Sequence, residues 1–278
     1  MAISVRDLLE AGAHFGHQTH RWNPKMRPYI YGARNGIYII DLQQTAKYWR
    51  QAYDSMIETV RRGNAVLFVG TKPQAQEVIA EEATRAGQPF VNRRWLGGML
   101  TNFKTIKNRI ERYRELKEIS AAERSDKYSK KDFLGLKKEF QKLEKSMAGI
   151  STMNRLPGLV VVVDPNREHL AVEEAKKLGL PIVSITDTNC DPDGIEYVVP
   201  ANDDALKSIR LFIHEAAEAC IEGQKAFELK IQEDTRRRME SKADSPAKKA
   251  EPEDQAAQTT PAATVTPDGQ VLAAVETK

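Results

Sequence analysis

Leu159-Val160-Val161-Val162-Val163 is an unbroken run of apolar residues, most of them β-branched, that offers no polar side chain to either face of an extended chain. Such a strand is stable where both of its faces are covered, the situation of a parallel sheet with helices on each side. Ala65-Val66-Leu67-Phe68-Val69 and Pro181-Ile182-Val183-Ser184-Ile185 have the same character. Helical patterns begin near Pro73 and near Arg167, after the first two strands in chain order. Pro73 suits a first helical turn, whose amides have no partner within the helix. The expected fold class is therefore α/β, a three-layer parallel sheet with crossover helices. Asn202 reads as an N-cap with Asp203 and Asp204 beside the positive helix end. Leu206, Ile209, Phe212, Ile213 and Ala216 then form the inward stripe of a last helix that closes the sheet.

The alternation of strands and helices stops between about Phe103 and Ile150, where the chain turns to Lys, Arg and Glu. Phe133, Leu136, Phe140, Leu143, Met147 and Ile150 recur at spacings of three and four, and Ile106, Ile110, Tyr113, Leu116 and Ile119 supply a facing stripe. Two antiparallel helices with one narrow apolar seam each predict an inserted coiled-coil hairpin, with Ala122 to Lys131 as its tip. The alternative is a pair of helices lying flat on the sheet. The expected organisation is a discontinuous body over 1–103 and 150–238, a hairpin over 104–149, and a tail over 239–278. That tail is rich in Ala, Pro, Thr, Gln, Lys and Glu and too poor in apolar period to offset its ordering entropy, so disorder is expected there.

The chain has 278 residues, 41% hydrophobic and 29% charged, enough for a substantial core with a highly charged surface. A net charge of +3 neither identifies nor excludes a nucleic-acid binder, because balanced charges elsewhere hide a local basic surface. Cys190 and Cys220 stand far apart and outside any CxxC spacing, which argues for reduced thiols rather than a disulfide framework or a zinc site. No apolar run approaches bilayer length and the start lacks a signal-peptide core, so no membrane association and a cytosolic location are expected.

The segment His20 to Tyr38 carries Arg21, Lys25, Arg27 and Arg34 and meets no acid until Asp41. Trp22, Tyr29, Tyr31 and Tyr38 are interleaved with those cations, and aromatic faces stack on unpaired bases or lie beneath Arg planes at RNA surfaces. Equally open from spacing is a β-hairpin turning at Asn35-Gly36 with its aromatics in the core. Arg93-Arg94-Trp95-Leu96-Gly97-Gly98-Met99-Leu100-Thr101-Asn102 stands where the sheet hands over to the insertion. Its two guanidinium forks suit phosphate, or else they pair with nearby carboxylates. Lys104 and Lys107 open the first insertion helix and add to the basic candidates, although most of the hairpin's cations are ordinary helix-surface charges partly offset by Glu111, Glu115, Glu139 and Glu144.

His14, His17 and His20 lack the i,i+4 spacing of helical metal ligands, and no metal is expected. Val69-Gly70-Thr71-Lys72-Pro73 joins a strand to a helix where α/β proteins bind phosphate, yet it lacks the flanking glycine of GxxxxGK[ST], and no GxGxxG replaces it. Asn189, Asp191, Asp193 and Gly194 imitate the start of a calcium loop, with Pro200 where the bidentate Glu belongs. Asp164, Asp187, Asp191 and Asp193 are placed to gather at the carboxyl ends of neighbouring strands. With no nucleophile and base to go with them, a loop-capping role is expected and no catalytic residue or cofactor is assigned.

His14-Phe15-Gly16-His17, Arg21-Trp22-Asn23-Pro24-Lys25-Met26, Arg34-Asn35-Gly36, Ile39-Ile40-Asp41-Leu42 and Trp95 to Asn102 together resemble the bacterial and plastid small-subunit ribosomal protein two family. Pro157-Gly158-Leu159 through Asp164-Pro165, then Glu173-Glu174-Ala175 and Leu180-Pro181, are similar to that family's second signature. The resemblance runs from about Ser4 to Gln232 and departs from the family at Tyr38, where His is often found, and in the tail. It implies a flavodoxin-like or Rossmann-like body with an inserted coiled-coil hairpin and a non-catalytic role in translation, in the cytoplasm or a plastid stroma. The implied partners are small-subunit ribosomal RNA, small-subunit ribosomal protein one and other small-subunit proteins. On that basis Arg21, Trp22, Lys25, Arg27, Arg34, Arg93, Arg94, Lys104 and Lys107 are the expected RNA-binding residues. Two rivals stand beside it: a nucleotide- or sugar-phosphate-binding enzyme using Lys72, Asp164 and Asp187, and a scaffold that binds proteins alone.

Overall fold

A computed structural model describes residues 3–121 and 129–243. The central sheet is parallel throughout, with five strands: β4 (Val66–Val69), β5 (Phe90–Val91), β6 (Leu159–Val163), β7 (Ile182–Thr186) and β8 (Tyr197–Pro200). Their spatial order is β5-β4-β6-β7-β8, which is the 2-1-3-4-5 winding of flavodoxin-like folds, with the strand order reversing between β4 and β6. Helices α2 (Leu42–Arg61), α3 (Pro73–Arg85), α6 (His169–Lys177) and α7 (Leu206–Ala243) accompany it.

The apolar runs are buried on both faces, as their composition requires. Val66, Phe68, Leu159, Val161, Val163, Val183 and Ile185 pack into one core with residues of α2, α3 and α7. The alternate residues Leu67, Val69, Val160, Val162 and Ile182 pack into a second with residues of the 95–100 loop and α6. β5 and β8 do not show as apolar runs in the sequence. The first has two residues, and the second ends in Pro200, tolerated because β8 is an edge strand.

Two boundaries, both of the last helix, differ from expectation. The last helix begins at Leu206, not directly after Asn202, because the Asn202 side chain accepts from the Asp204 and Ala205 amides and forms a turn before the helix. Leu206 is consequently exposed, whereas Ile209, Phe212, Ile213 and Ala216 are buried as read. The same helix continues to Ala243, so residues 239–243 are helical. The rest of the expected tail, 244–278, lies outside the described residues, as does 122–128 of the expected hairpin tip.

Helices α4 (Phe103–Ala121) and α5 (Lys130–Met147) occupy the insertion. Tyr113 and Phe140 stack with ring centroids 5.6 Å apart, and Arg112 bridges to Glu139. Ile106, Ile110, Tyr113, Met147 and Ile150 also belong to the second core of the body, so the base of this helix pair is shared with the sheet. The described residues up to Thr235 form one compact unit, and those after it are the last part of α7.

Ahead of the sheet lie α1 (Val5–Glu10) and a small antiparallel sheet of β1 (Phe15–Gln18), β3 (Ile37–Ile40) and β2 (Ile30–Arg34), in that spatial order. The hairpin between β2 and β3 turns at Asn35 and Gly36, both at positive φ (52° and 74°), the backbone that a two-residue type I′ turn demands.

Candidate nucleic-acid interface

The expected cations fall into two groups. Arg21, Arg27 and Arg34 are exposed on and around the β2–β3 hairpin. Arg93 and Arg94 follow the end of β5, and Lys104 and Lys107 lie in the opening turns of α4, again all exposed. Among the described residues none of these seven is held in an ion pair. Because every strand of the main sheet runs the same way, Arg93 and Arg94 stand at its carboxyl edge. The small sheet is tied to that same edge: the His17 amide donates to Thr188 Oγ1 at 2.9 Å, and the Asn23 amide to the Thr188 carbonyl at 2.8 Å.

Lys25 is arranged differently. Its ammonium lies 2.8 Å from an Asp191 oxygen and 2.5 Å from one of Asp193, so it pins the basic segment to the β7–β8 loop. These contacts hold its pKa above the ordinary lysine value, and the same pairing holds Asp191 low. Trp22 is half-buried against Tyr38, ring centroids 5.1 Å apart, and Tyr29 meets Tyr48 edge-on at 5.7 Å. Both readings of the segment are therefore present: a hairpin packs most of the aromatics, and its arginines stay outside.

The 95–101 loop is built around Glu174. This carboxylate accepts from the Trp95 indole (3.0 Å), from the amides of Gly98 (2.7 Å), Leu100 (2.9 Å) and Thr101 (3.0 Å), and from the Thr101 hydroxyl (3.0 Å). Burial pushes the Glu174 pKa up, but these donors outweigh it and hold the group below the usual glutamate value. The two arginines are thus carried on a fixed base. They line a surface cleft with Asn92, Lys145 and Gly149, and one acid, Glu144.

At the β4/β6 switch point, where a doubly wound protein would bind a nucleotide, the crevice is filled by the protein's own charges. Lys72 lies 3.3 Å from Asp164, 2.8 Å from Asp203 and 2.5 Å from Asp204. His17 reaches Asp187 at 3.0 Å through Nδ1 and Asp204 at 3.4 Å through Nε2. Hydrogen bonding to Asp187 raises the His17 pKa against the opposing effect of burial, and burial together with Asp187 and Asp164 raises Asp203 to about 7. Four carboxylates around one lysine and one histidine repel a phosphate. Asp164 and Asp187 do gather as expected, but their partners are Asp203 and Asp204, while Asp191 and Asp193 hold Lys25. The His17, Asp187 and Asp203 ligand atoms lie within 4.8 Å of one another, and one Asp203 oxygen is buried without a hydrogen-bond partner among the described residues. One imidazole and two carboxylates can hold a divalent cation. This trio has no local signature, because its members are up to 186 residues apart and only His17 belongs to the histidine cluster.

Comparison with known proteins places these features in context. A family model described as Ribosomal protein S2 matches residues 8–223. The chain is similar to the small ribosomal subunit protein uS2 of Lawsonia intracellularis, 58% identical over 222 residues that cover 80% of this chain and 76% of the relative. It is 55% identical over 233 residues to that of Geotalea uraniireducens, covering 84% and 91%. Against that of Desulfovibrio desulfuricans the identity is 55% over 222 residues, covering 80% and 86%.

Proposed function

Since the chain belongs to the ribosomal protein S2 family and so has a structural role in the small ribosomal subunit during translation, we propose that it is held there by direct contacts to ribosomal RNA from two cationic groups at one edge of its sheet. The observation that carries this is the set of seven exposed cations, Arg21, Arg27, Arg34, Arg93, Arg94, Lys104 and Lys107, left without carboxylate partners among the described residues. In a chain with nearly balanced charge, unpaired cations at one edge are available to phosphate, and such contacts fix position without reading sequence. Lys25 reaches phosphate only by giving up Asp191 and Asp193. Trp22, seated on Tyr38, stiffens the loop between Arg21 and Lys25.

The α4–α5 pair projects beyond its shared base as an antiparallel coiled-coil hairpin and offers neighbouring ribosomal proteins, small-subunit ribosomal protein one among them, a docking surface. The alternation of half-buried Phe133, Leu136, Phe140 and Leu143 with exposed charged residues supports this, since helices flat on a sheet would bury a wider face. The role is not catalytic. The anionic, self-paired switch-point crevice opposes the rival nucleotide-binding reading.

The test is sucrose-gradient sedimentation of the tagged full-length chain from lysate at low and raised salt, with 104–149 present or deleted. Salt-sensitive comigration with small subunits is expected, and loss of protein one on deletion locates its dock. A chain that stays at the top of every gradient overturns the proposal.

A further inference from the structure

The charges of the α4–α5 pair partly cancel along the chain, but not around it. On α5 the half-buried Phe133, Leu136, Phe140 and Leu143 and the buried Met147 mark the side that packs inward. A helix of 3.6 residues per turn puts Lys131, Leu134, Lys138, Gln141, Lys142 and Lys145 on the opposite side, and all six are exposed. That side has four lysines and no acid. On α4 the buried Ile106, Ile110, Tyr113 and Leu116 place Lys104, Asn108, Glu111, Glu115 and Glu118 outward. Beyond its first turn, the outer side of α4 is therefore acidic.

The lysine row does nothing for the helix that carries it. Glu139, three residues before Lys142, is taken by Arg112 of α4 at 3.2 Å. Lys138 and Lys145 have no acid three or four positions away, and among the described residues none of the four lysines is held in an ion pair. Lys138 and Lys142 are instead like charges one turn apart, as are Lys142 and Lys145, and such pairs destabilise a helix. A partner of opposite charge removes that repulsion.

Lys145 indicates which partner, because it lines the same cleft as Arg93 and Arg94. From there the row runs along α5 to Lys131, about 21 Å of helix axis. Leu134 is the only apolar member of the row. Protein interfaces are built around aromatic and apolar anchors and are depleted in lysine at their centres. A line of ammonium groups suits a backbone of repeated phosphates, which is held without being read.

We propose that the lysine side of α5 lies along the phosphate backbone of the ribosomal RNA, extending the contact that begins at Arg93 and Arg94. The acidic side of α4 is then turned away from the RNA, which it repels. The inference rests on the RNA-binding reading above and adds to it four residues and the orientation of the inserted helices.

The experiment uses the full-length chain and intact small-subunit ribosomal RNA, with affinity measured across a salt series. The variants are Lys138→Gln/Lys142→Gln/Lys145→Gln, the same three positions changed to Arg, and Arg93→Gln/Arg94→Gln. A control, Lys47→Gln/Arg50→Gln/Lys177→Gln, removes the same charge from exposed positions elsewhere. Loss of the three lysines is expected to flatten the plot of log affinity against log salt by about 2–2.7, at roughly 0.7–0.9 per phosphate contact. Arg at the three positions should restore the wild-type slope, and the control should keep it. Bound RNA should also protect Lys131, Lys138, Lys142 and Lys145 from acylation, read by mass spectrometry. Melting temperatures should not fall, since the changes relieve repulsion on an exposed side. If Arg93→Gln/Arg94→Gln flattens the plot and the lysine triple does not, the inference fails and the RNA-binding reading stands. If wild type does not bind, both fail. Equal flattening by the control would assign the effect to net charge and overturn the inference. So would a lysine triple that keeps its RNA affinity and loses a neighbouring protein in sucrose gradients.

Discussion

The indole N–H of Trp95 donates to Glu174 across a sequence separation of 79 residues, at 3.0 Å. Four more donors from Gly98, Leu100 and Thr101 converge on the same carboxylate. This one side chain, on α6, therefore fixes the loop that follows Arg93 and Arg94 and from which α4 departs. Glu174→Ala leaves donors on the buried Trp95 and Leu100 without their acceptor. At about 1–3 kcal/mol for each of the two buried groups left unsatisfied, a loss of about 2–6 kcal/mol is expected. Urea unfolding measures it, and hydrogen exchange should speed at the Gly98, Leu100 and Thr101 amides. Unchanged protection there would show that other contacts hold the loop.

The same carboxylate makes stability depend on pH in a predictable direction. Its pKa in the folded chain lies below the ordinary value of 4.5, since the loop's donors outweigh burial. A group with a depressed folded pKa contributes its stability above the unfolded value, and that contribution is lost as pH falls through the folded value. Urea midpoints of wild type should therefore fall more steeply than those of Glu174→Gln as pH drops below 4.5. Parallel curves would assign the acid sensitivity to other carboxylates.

Lys72 is the cation on which the switch-point cluster depends. Its side chain is 10% exposed and faces Asp164, Asp203 and Asp204. Lys72→Met removes the charge and keeps most of the volume, leaving carboxylates facing one another in a buried site. Breaking a buried pair in this way costs about 3–5 kcal/mol, which urea unfolding near neutral pH should report. ATP, NAD and sugar phosphates should leave the wild-type melting temperature unchanged. A phosphate ligand at a hundred times its dissociation constant would instead add about 2.7 kcal/mol, and such a shift would revive the enzyme reading.

Arg93 and Arg94 should act on RNA as point contributors of counterion release. Replacing both with Gln is expected to flatten the plot of log affinity against log salt by about 1.5, at roughly 0.7–0.9 per phosphate contact. The folded state should be untouched, because both side chains are exposed. A slope equal to that of wild type would remove them from the interface.

The sheet was legible because its strands are buried on both faces, and burial of that kind writes itself into local composition, as at Leu159–Val163 and Val66–Val69. β5 and β8 were not, since a two-residue strand and a strand ending in Pro200 leave too little local pattern. The arginines of the proposed interface were legible as residue types, but their freedom was not. Lys25 belongs to the same basic stretch as Arg27, and only the fold brings Asp191 and Asp193 to the one and leaves the other unpaired. The same holds for Glu174, whose place in the family signature gave no hint of the loop 73–79 residues earlier in the chain that it holds.

Gly16 tests how tightly the small sheet is seated. A Cβ at this position would lie 2.6 Å from Thr188 Cγ2 and 2.9 Å from Thr188 Oγ1, closer than unbonded atoms approach. The neighbouring His17 amide donates to that same hydroxyl, so β1 cannot retreat without losing the bond. Gly16→Ala is expected to cost about 1–3 kcal/mol, the usual range for overpacking. Thr188→Ser deletes the nearer of the two clashing atoms and keeps the hydroxyl. In the double variant part of the loss should return, giving a coupling of about 0.5 kcal/mol or more between residues that touch. Purely additive losses would mean that β1 shifts away from Thr188 in the single variant. The Arg21 and Arg34 side chains would then move with it, and RNA affinity should fall alongside stability.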